Sequence, residues 1–100
     1  MKFVLSPEAE DDIWSIWQYL ALEAGVSVAD RVESTIFEEI ARLAQMPGVG
    51  HWRRDLTNEP VKFVVVYSYL IVYRADVSPL AVVAVVHGRR DVSEVLKGRL

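Results

Sequence analysis

The chain has 100 residues, of which 52% are hydrophobic and 25% are charged, and its formal net charge at pH 7 is −3. This length fits a single domain over residues 1–100, and the composition excludes a disordered chain. The absence of cysteine excludes a disulfide framework, a thiolate zinc site and a cysteine nucleophile.

The charge is distributed unevenly along the chain. Residues 1–46 contain nine acidic and three basic residues, whereas residues 47–100 contain five acidic and eight basic residues. The whole chain is therefore not typical of a nucleic-acid-binding protein, although one face of its second half is basic. The longest apolar stretch, residues 63–73, is shorter than the about 20 residues of a membrane span, and no signal peptide is recognisable. We expect a cytoplasmic protein without a membrane partner.

The first half of the chain predicts a short strand followed by a helical hairpin. Residues 2–5 form the strand candidate, and Ser6 is a suitable N-cap for the helix that follows. Apolar residues then recur at helical spacing up to Gly25, which ends the first helix. Ser27 is the expected cap of a second helix, which continues to the sequence MPGVG at residues 46–50.

The second half predicts three β-strands, at residues 61–67, 69–75 and 80–87. Their short connections indicate an antiparallel meander, because parallel neighbours need a long crossover. The order β-α-α-β-β-β predicts an α+β fold in which the helical hairpin packs on a small antiparallel sheet. The tail from residue 91 to residue 100 forms a helical turn or lies extended.

These strands are apolar on both faces of the predicted sheet. A sheet with one solvated face alternates apolar and polar residues, but residues 63–66, 70–72 and 82–86 are continuously apolar. The two helices cover one face, and the tail, a second copy or another protein must cover the other. We expect a partner protein, because an uncovered apolar face is an interaction site.

No catalytic, metal or cofactor motif is present in the sequence. The two histidines, His51 and His87, have no ligand spacing, and no serine lies in a nucleophile-elbow pattern. Cationic residues before, within and after the strands remain as candidates for binding: Arg53, Arg54, Arg74, His87, Arg89 and Arg90. They need not form one cluster, and local ion pairs of Arg54 with Asp55 and of Arg90 with Asp91 are the structural alternative.

Three segments, in this order and spacing, resemble the ParE branch of the ParE/RelE toxin superfamily. They are Arg54-Asp55-Leu56, YLIVYR at residues 69–74 and VVHGRRD at residues 85–91. The preceding LAQMPGVGHWRRDL at residues 43–56 is similar to the helix end and loop of that family. Each motif is weak alone, but the combination is specific, and the resemblance covers nearly the whole chain.

The resemblance implies the toxin of a type II toxin–antitoxin system, of the kind linked to plasmid stabilisation. Such toxins act on DNA gyrase as inhibitors rather than enzymes. A ParD-like antitoxin neutralises them by wrapping its C-terminal segment around the toxin, and operator DNA is contacted only through the antitoxin. We expect the six cationic residues above to bind the target, and Trp14, Trp17, Leu70 and Val72 to bind the antitoxin. Trp14 is the stronger candidate, because Trp17 lies in the core stripe of its helix.

Two alternatives remain from the sequence. The RelE branch shares the fold but cleaves mRNA in the ribosome, with an arginine followed six residues later by a tyrosine. Arg90 matches that arginine, but Leu96 stands at the tyrosine position and cannot transfer a proton. This departure disfavours a ribonuclease, although it leaves His87 as a possible substitute. The second alternative is a family member that binds its antitoxin without being toxic.

Overall fold

The computed structural model describes residues 2–100, which form four strands, three α-helices and one 3-10 turn at Pro47–Val49. In chain order they are β1 (Phe3–Leu5), α1 (Pro7–Ala24), α2 (Val26–Gln45), β2 (Val61–Val66), β3 (Tyr69–Arg74), β4 (Leu80–His87) and α3 (Val92–Lys97). This order confirms the predicted β-α-α-β-β-β arrangement and the α+β class. The tail adopts the helical alternative.

The helical hairpin begins at Ser6, as predicted. The Ser6 hydroxyl accepts a hydrogen bond from the Ala9 amide at 3.0 Å and so caps α1. Gly25 ends α1 with a φ of 97°, and α2 begins at the next residue. The prediction that Ser27 caps α2 is wrong, because the positive φ of one glycine reverses the chain and leaves Ser27 inside the first helical turn.

The four strands form one sheet in the order β1-β4-β3-β2. The strands β2, β3 and β4 form the predicted antiparallel meander, and β1 pairs parallel with the first part of β4, from Phe3 opposite Leu80 to Leu5 opposite Val82. The sheet is therefore mixed. Tyr67 and Ser68 make the predicted tight turn, with Tyr67 at a left-handed φ of 55°.

A β-bulge in β4 explains why that strand does not alternate. Val72 lies opposite Ala84 and Tyr73 lies opposite Val82, so Val83 is an extra residue without a partner on β3. As a result, Val82 packs on the helix side of the sheet, whereas Val83 and Ala84 both pack on the other side.

The second face of the sheet is covered by the chain's own C-terminal segment. On α3, Val92 and Leu96 are buried and pack with Phe63, Val72 and Val86. Of the three covers that the sequence left open, the structure shows the tail. One short helix and the residues after it cover most of this face, so the apolar pattern by itself does not require a partner.

Asp12 on α1 and Arg99 in the tail form a two-pronged ion pair across the end of this arrangement. The two guanidinium nitrogens of Arg99 lie 2.6 and 2.9 Å from the two carboxylate oxygens of Asp12. The same carboxylate accepts from the Val85 amide at 2.9 Å, and Arg99 also donates to the Val83 carbonyl at 3.1 Å. Only 16% of the Arg99 side chain and 10% of the Asp12 side chain are exposed. The hydrogen bonds to Asp12 raise the pKa of Arg99 above its usual value, so the guanidinium stays charged.

Replacing Asp12 with asparagine is expected to lower the free energy of unfolding by about 3 kcal/mol, because it leaves the mostly buried Arg99 cation without a counter-charge. Urea unfolding followed by far-ultraviolet circular dichroism measures this change. Lys97→Ala is the control, since its ion pair with Glu94 is exposed and contributes little. Equal stabilities of the two variants would contradict the importance of the Asp12–Arg99 pair.

Candidate functional site

The six predicted target-binding residues lie in two groups at opposite ends of the meander. At one end His87 pairs with Tyr69, and at the other end Arg74 pairs with Val61 of β2 and Ala81 of β4. The ends of a six-residue strand lie about 17 Å apart. The structure therefore does not bring all six cations together.

The first group follows β4 directly and consists of His87, Arg89 and Arg90. The Arg90 amide donates to the His87 carbonyl at 3.0 Å, and the Arg89 amide donates to Nδ1 of His87 at 3.1 Å. These bonds make a compact turn, and both arginine side chains are exposed. Among residues 2–100, neither arginine takes part in an ion pair.

Asp91 does not neutralise this group. Its carboxylate caps α3 by accepting from the Glu94 amide at 3.1 Å, instead of pairing with Arg90. Among the cations that follow β4, Arg99 is the one that pairs with an acid on the helical hairpin, namely Asp12. The turn after β4 therefore presents two positive charges to solvent.

The second group consists of Arg74 at the end of β3 and of Arg53 and Arg54 in the loop before β2. Arg53 donates two hydrogen bonds to the carboxylate of Asp55, at 2.8 and 3.0 Å, and this lowers the pKa of Asp55. The expected pair of Arg54 with Asp55 is thus replaced by the pair of Arg53 with Asp55. The Arg54 guanidinium instead lies 4.8 Å from the ring centroid of Trp52, and the Lys62 ammonium lies 4.9 Å from the same centroid.

Tyr73 holds the start of this loop on the sheet. Its hydroxyl donates to the Pro47 carbonyl at 2.7 Å and accepts from the Gly50 amide at 2.9 Å. A Cβ at position 50 would lie 2.4 Å from that hydroxyl oxygen, so only glycine fits there without a rearrangement. The loop that carries Trp52, Arg53 and Arg54 is therefore held by this tyrosine together with the two main-chain hydrogen bonds between His51 and Phe63.

A groove of about 630 Å³ runs between α1 and the end of β4, next to the first cationic group. Five aliphatic and three aromatic residues line it, together with His87 and Arg90: Ile16, Leu20, Val32, Val85, Val86, Tyr19, Tyr67 and Tyr69. Burial raises the pKa of the Tyr69 phenol, and Tyr19 adds to this effect, so Tyr69 is neutral at physiological pH. Tyr69 and His87 contact each other edge to face, with ring centroids 5.5 Å apart.

The four residues predicted to bind an antitoxin are placed differently from one another. Trp14 is 55% exposed and stacks on Trp17, with ring centroids 5.5 Å apart, and Trp17 donates to the Asp30 carboxylate at 2.8 Å. Leu70 and Val72 are buried beneath α3. A partner reaches Leu70 and Val72 only if the tail moves, whereas it reaches Trp14 directly.

Sequence reasoning did not identify the tyrosines of the groove or the Asp12–Arg99 pair. The helical period places Asp12 and Tyr19, seven residues apart, on one face of α1, and this was the available signal. No signal connects Asp12 with Arg99, because 87 residues separate them. Within the part of the chain that the structure describes, no cluster of His, Asp or Glu is arranged for a metal ion, and no helix has the length and hydropathy to span a bilayer.

Comparison with known proteins identifies the family. Residues 3–92 match the family described as the ParE toxin of the type II toxin–antitoxin system, parDE. The chain belongs to the ParE toxin family. A solved structure described as the chromosomal ParDE toxin–antitoxin system from P. aeruginosa shares the fold, with a TM-score of 0.74 and 16% sequence identity over 87% of this chain and 95% of that chain. A comparison with curated proteins gave no match. The ParE match ends at Val92, so most of α3 and Arg99 lie beyond it.

Tyr73→Phe is expected to destabilise the protein by about 1–3 kcal/mol, because it removes the partner of the buried Gly50 amide and of the Pro47 carbonyl. Urea unfolding measures the loss. Tyr67→Phe is the matched control, since the Tyr67 side chain is exposed and its hydroxyl has only a 3.5 Å contact with Thr35.

The Tyr73→Phe variant also allows a test at alkaline pH. Burial raises the pKa of Tyr73 above its ordinary value of 10.0, so the stability linked to its neutral form is present below pH 10 and is lost as the pH rises further. Tyr73→Phe should lose stability less steeply above pH 10 than the unsubstituted protein. An identical slope for both proteins would contradict this assignment.

Proposed function

We propose that this ParE-family chain inhibits DNA gyrase and is neutralised by a ParD-like antitoxin. The observation that carries the proposal is the cationic turn after β4, where the exposed side chains of Arg89 and Arg90 have no ion-pair partner among the described residues. Unpaired arginines on a fixed turn are suited to a protein or phosphate surface of opposite charge, because they need not break an existing pair to bind.

Gyrase itself is proposed from the family, since fold and charge do not identify a target. The same source supports three further parts of the proposal: action in the cytoplasm, a role in plasmid stabilisation, and contact with operator DNA through the antitoxin alone. The cationic residues Arg53, Arg54 and Arg74 are proposed as a second, separate contact with the target.

An inhibitor rather than an enzyme is favoured by the position of Leu96. This residue stands where the RelE branch has a tyrosine. It is 2% exposed and packs from α3 into the apolar layer on the second face of the sheet. A side chain at this position is directed into the apolar layer rather than towards a substrate. Cleavage of mRNA is therefore tested only if the first experiment below shows no effect on gyrase.

The first experiment measures supercoiling by purified gyrase with ATP and plasmid DNA in the presence of the folded protein. We expect inhibited supercoiling and accumulated cleaved DNA, both reversed by the antitoxin encoded beside the gene. The variant Arg89→Ala/Arg90→Ala should require at least about tenfold more protein for the same inhibition, because buried interface arginines are frequent hot spots.

Two controls make this result specific. The variant Arg31→Ala/Lys97→Ala removes two exposed cations elsewhere and should inhibit as the unsubstituted protein does. The Arg89→Ala/Arg90→Ala variant should keep the unfolding free energy of the unsubstituted protein, because both side chains are exposed and outside any ion pair of the described residues. If folded, antitoxin-binding protein leaves gyrase unaffected, the gyrase proposal is wrong, and a ribosome-dependent mRNA cleavage assay then separates a ribonuclease from a non-toxic family member.

Trp14 is proposed as an antitoxin contact on the side of α1 that packs towards α2. Trp14→Ala should weaken antitoxin binding about 30-fold, the effect of losing a typical tryptophan hot spot. Isothermal titration calorimetry measures the dissociation constant. Leu22→Ala is the control, because it truncates another apolar side chain on α1 that is 87% exposed. Unchanged affinity of the Trp14 variant would place the interface elsewhere.

A further inference from the structure

Half of β4 has an edge that no strand covers. β1 pairs only with Leu80, Ala81 and Val82, and the chain then leaves the sheet at Ser6, whose amide donates to the Val82 carbonyl at 3.0 Å. Beyond that point α1 lies beside β4, and the groove of about 630 Å³ separates the two elements. The edge is therefore open towards an apolar groove.

The hydrogen-bond pattern identifies the backbone groups that face this groove. The Gly88 amide donates to the Ser68 carbonyl at 2.8 Å, so Gly88 and, by alternation, Val86 and Ala84 face β3. Val85 and His87 consequently face away from β3, and the bond from the Val85 amide to Asp12 is consistent with this direction. Along the described chain no hydrogen bond outside the sheet uses the Val85 carbonyl or the His87 amide.

These two free groups fit a parallel strand and not an antiparallel one. In a parallel ladder, one residue of the added strand donates to the carbonyl of residue i−1 and accepts from the amide of residue i+1 on the neighbouring strand. On β4 these two groups are the Val85 carbonyl and the His87 amide. An antiparallel neighbour needs both the amide and the carbonyl of the same residue on β4. The Val85 amide is occupied by Asp12, and the His87 carbonyl is occupied by the Arg90 amide.

The side chains around this edge favour an apolar segment that also carries a negative charge. Ile16, Leu20 and Tyr69 line the groove, and its volume is within the range of about 300–1,000 Å³ that holds a compact ligand group. Arg90 lines the same groove and has no ion-pair partner among residues 2–100. A carboxylate on the incoming segment would complement it.

We propose that an extended segment of the antitoxin adds to β4 as a short parallel strand, continues the row begun by β1, inserts an apolar side chain into the groove and places a carboxylate at Arg90. This inference rests on the proposed function, because it assigns a binding mode to the antitoxin. Main-chain bonds to Val85 and His87 supply affinity, and the groove supplies specificity, as in other cases of strand addition. The groove and Trp14 lie on different sides of α1, so the two contacts can be tested separately.

The test compares three variants in binding to the full-length antitoxin encoded beside the gene. His87→Pro removes the amide and the side chain, whereas His87→Ala removes only the side chain. Val65→Pro is the matched control at the other edge of the sheet, where Val65 is 67% exposed on β2. His87→Pro should weaken binding about 10- to 100-fold relative to His87→Ala, as expected for a lost bond to a buried acceptor.

Hydrogen exchange on the unsubstituted protein keeps the inference testable if His87→Pro does not fold. The His87 amide should exchange freely in the free toxin and be protected in the complex. Equal binding by His87→Pro and His87→Ala, or an unprotected His87 amide in the complex, would overturn the strand addition while leaving the proposed function intact. An antitoxin that does not bind the toxin at all would overturn both. Protection of this amide in a dimer of the free toxin would assign the groove to a second copy and would also overturn the inference.

Discussion

One carboxylate connects three parts of this protein, namely the helical hairpin, strand β4 and the C-terminal tail. The Val83 carbonyl and the Val85 amide of β4 have no partner on β3, and buried backbone groups without partners are costly. Asp12 accepts from one of them, at Val85, and orients Arg99, which donates to the other, at Val83. The helical hairpin, the bulged strand and the tail are thus joined at a single point. This contact fixes the tail in place and so adds to the apolar side chains of α3 that cover the second face of the sheet.

The surfaces proposed to bind the antitoxin and the surface proposed to bind the target overlap in part. Trp14 lies on one side of α1, and the groove lies on the other side of the same helix. The groove reaches Arg90, which also belongs to the cationic turn proposed to meet the target. A segment bound in the groove would therefore cover part of the target-binding surface directly. The antitoxin would then block the target without a change in the structure of the toxin, because Arg90 would already be paired with the antitoxin.

The sequence predicted the regular parts of the fold because their signals are local. The cap at Ser6, the stop at Gly25 and the three apolar runs of the meander depend on residues within a few positions of one another. The parallel pairing of β1 with β4 was not predicted, since it joins residues far apart in the chain. The Asp12–Arg99 pair was missed for the same reason.

The candidate cations were identified by type, but which of them are already paired depends on turn geometry: Arg53 reaches Asp55, while Asp91 turns back to cap α3. The burial of Leu70 and Val72 followed from a tail whose structure the sequence left open.

The bulge in β4 also bears on how this chain can vary in evolution. Because side chains alternate along a strand, one extra residue divides β4 into two halves that have opposite phase. Loss of the codon for Val83 would restore a regular alternation and leave Leu80, Val82 and Val85 all on the helix side, but it would remove the residue whose carbonyl accepts from Arg99. An additional residue in β4 would instead shift one half of the strand out of phase and exchange side chains between the two faces of the sheet. Insertions are therefore expected to accumulate in the loop between the 3-10 turn and β2, and to be rare in β4.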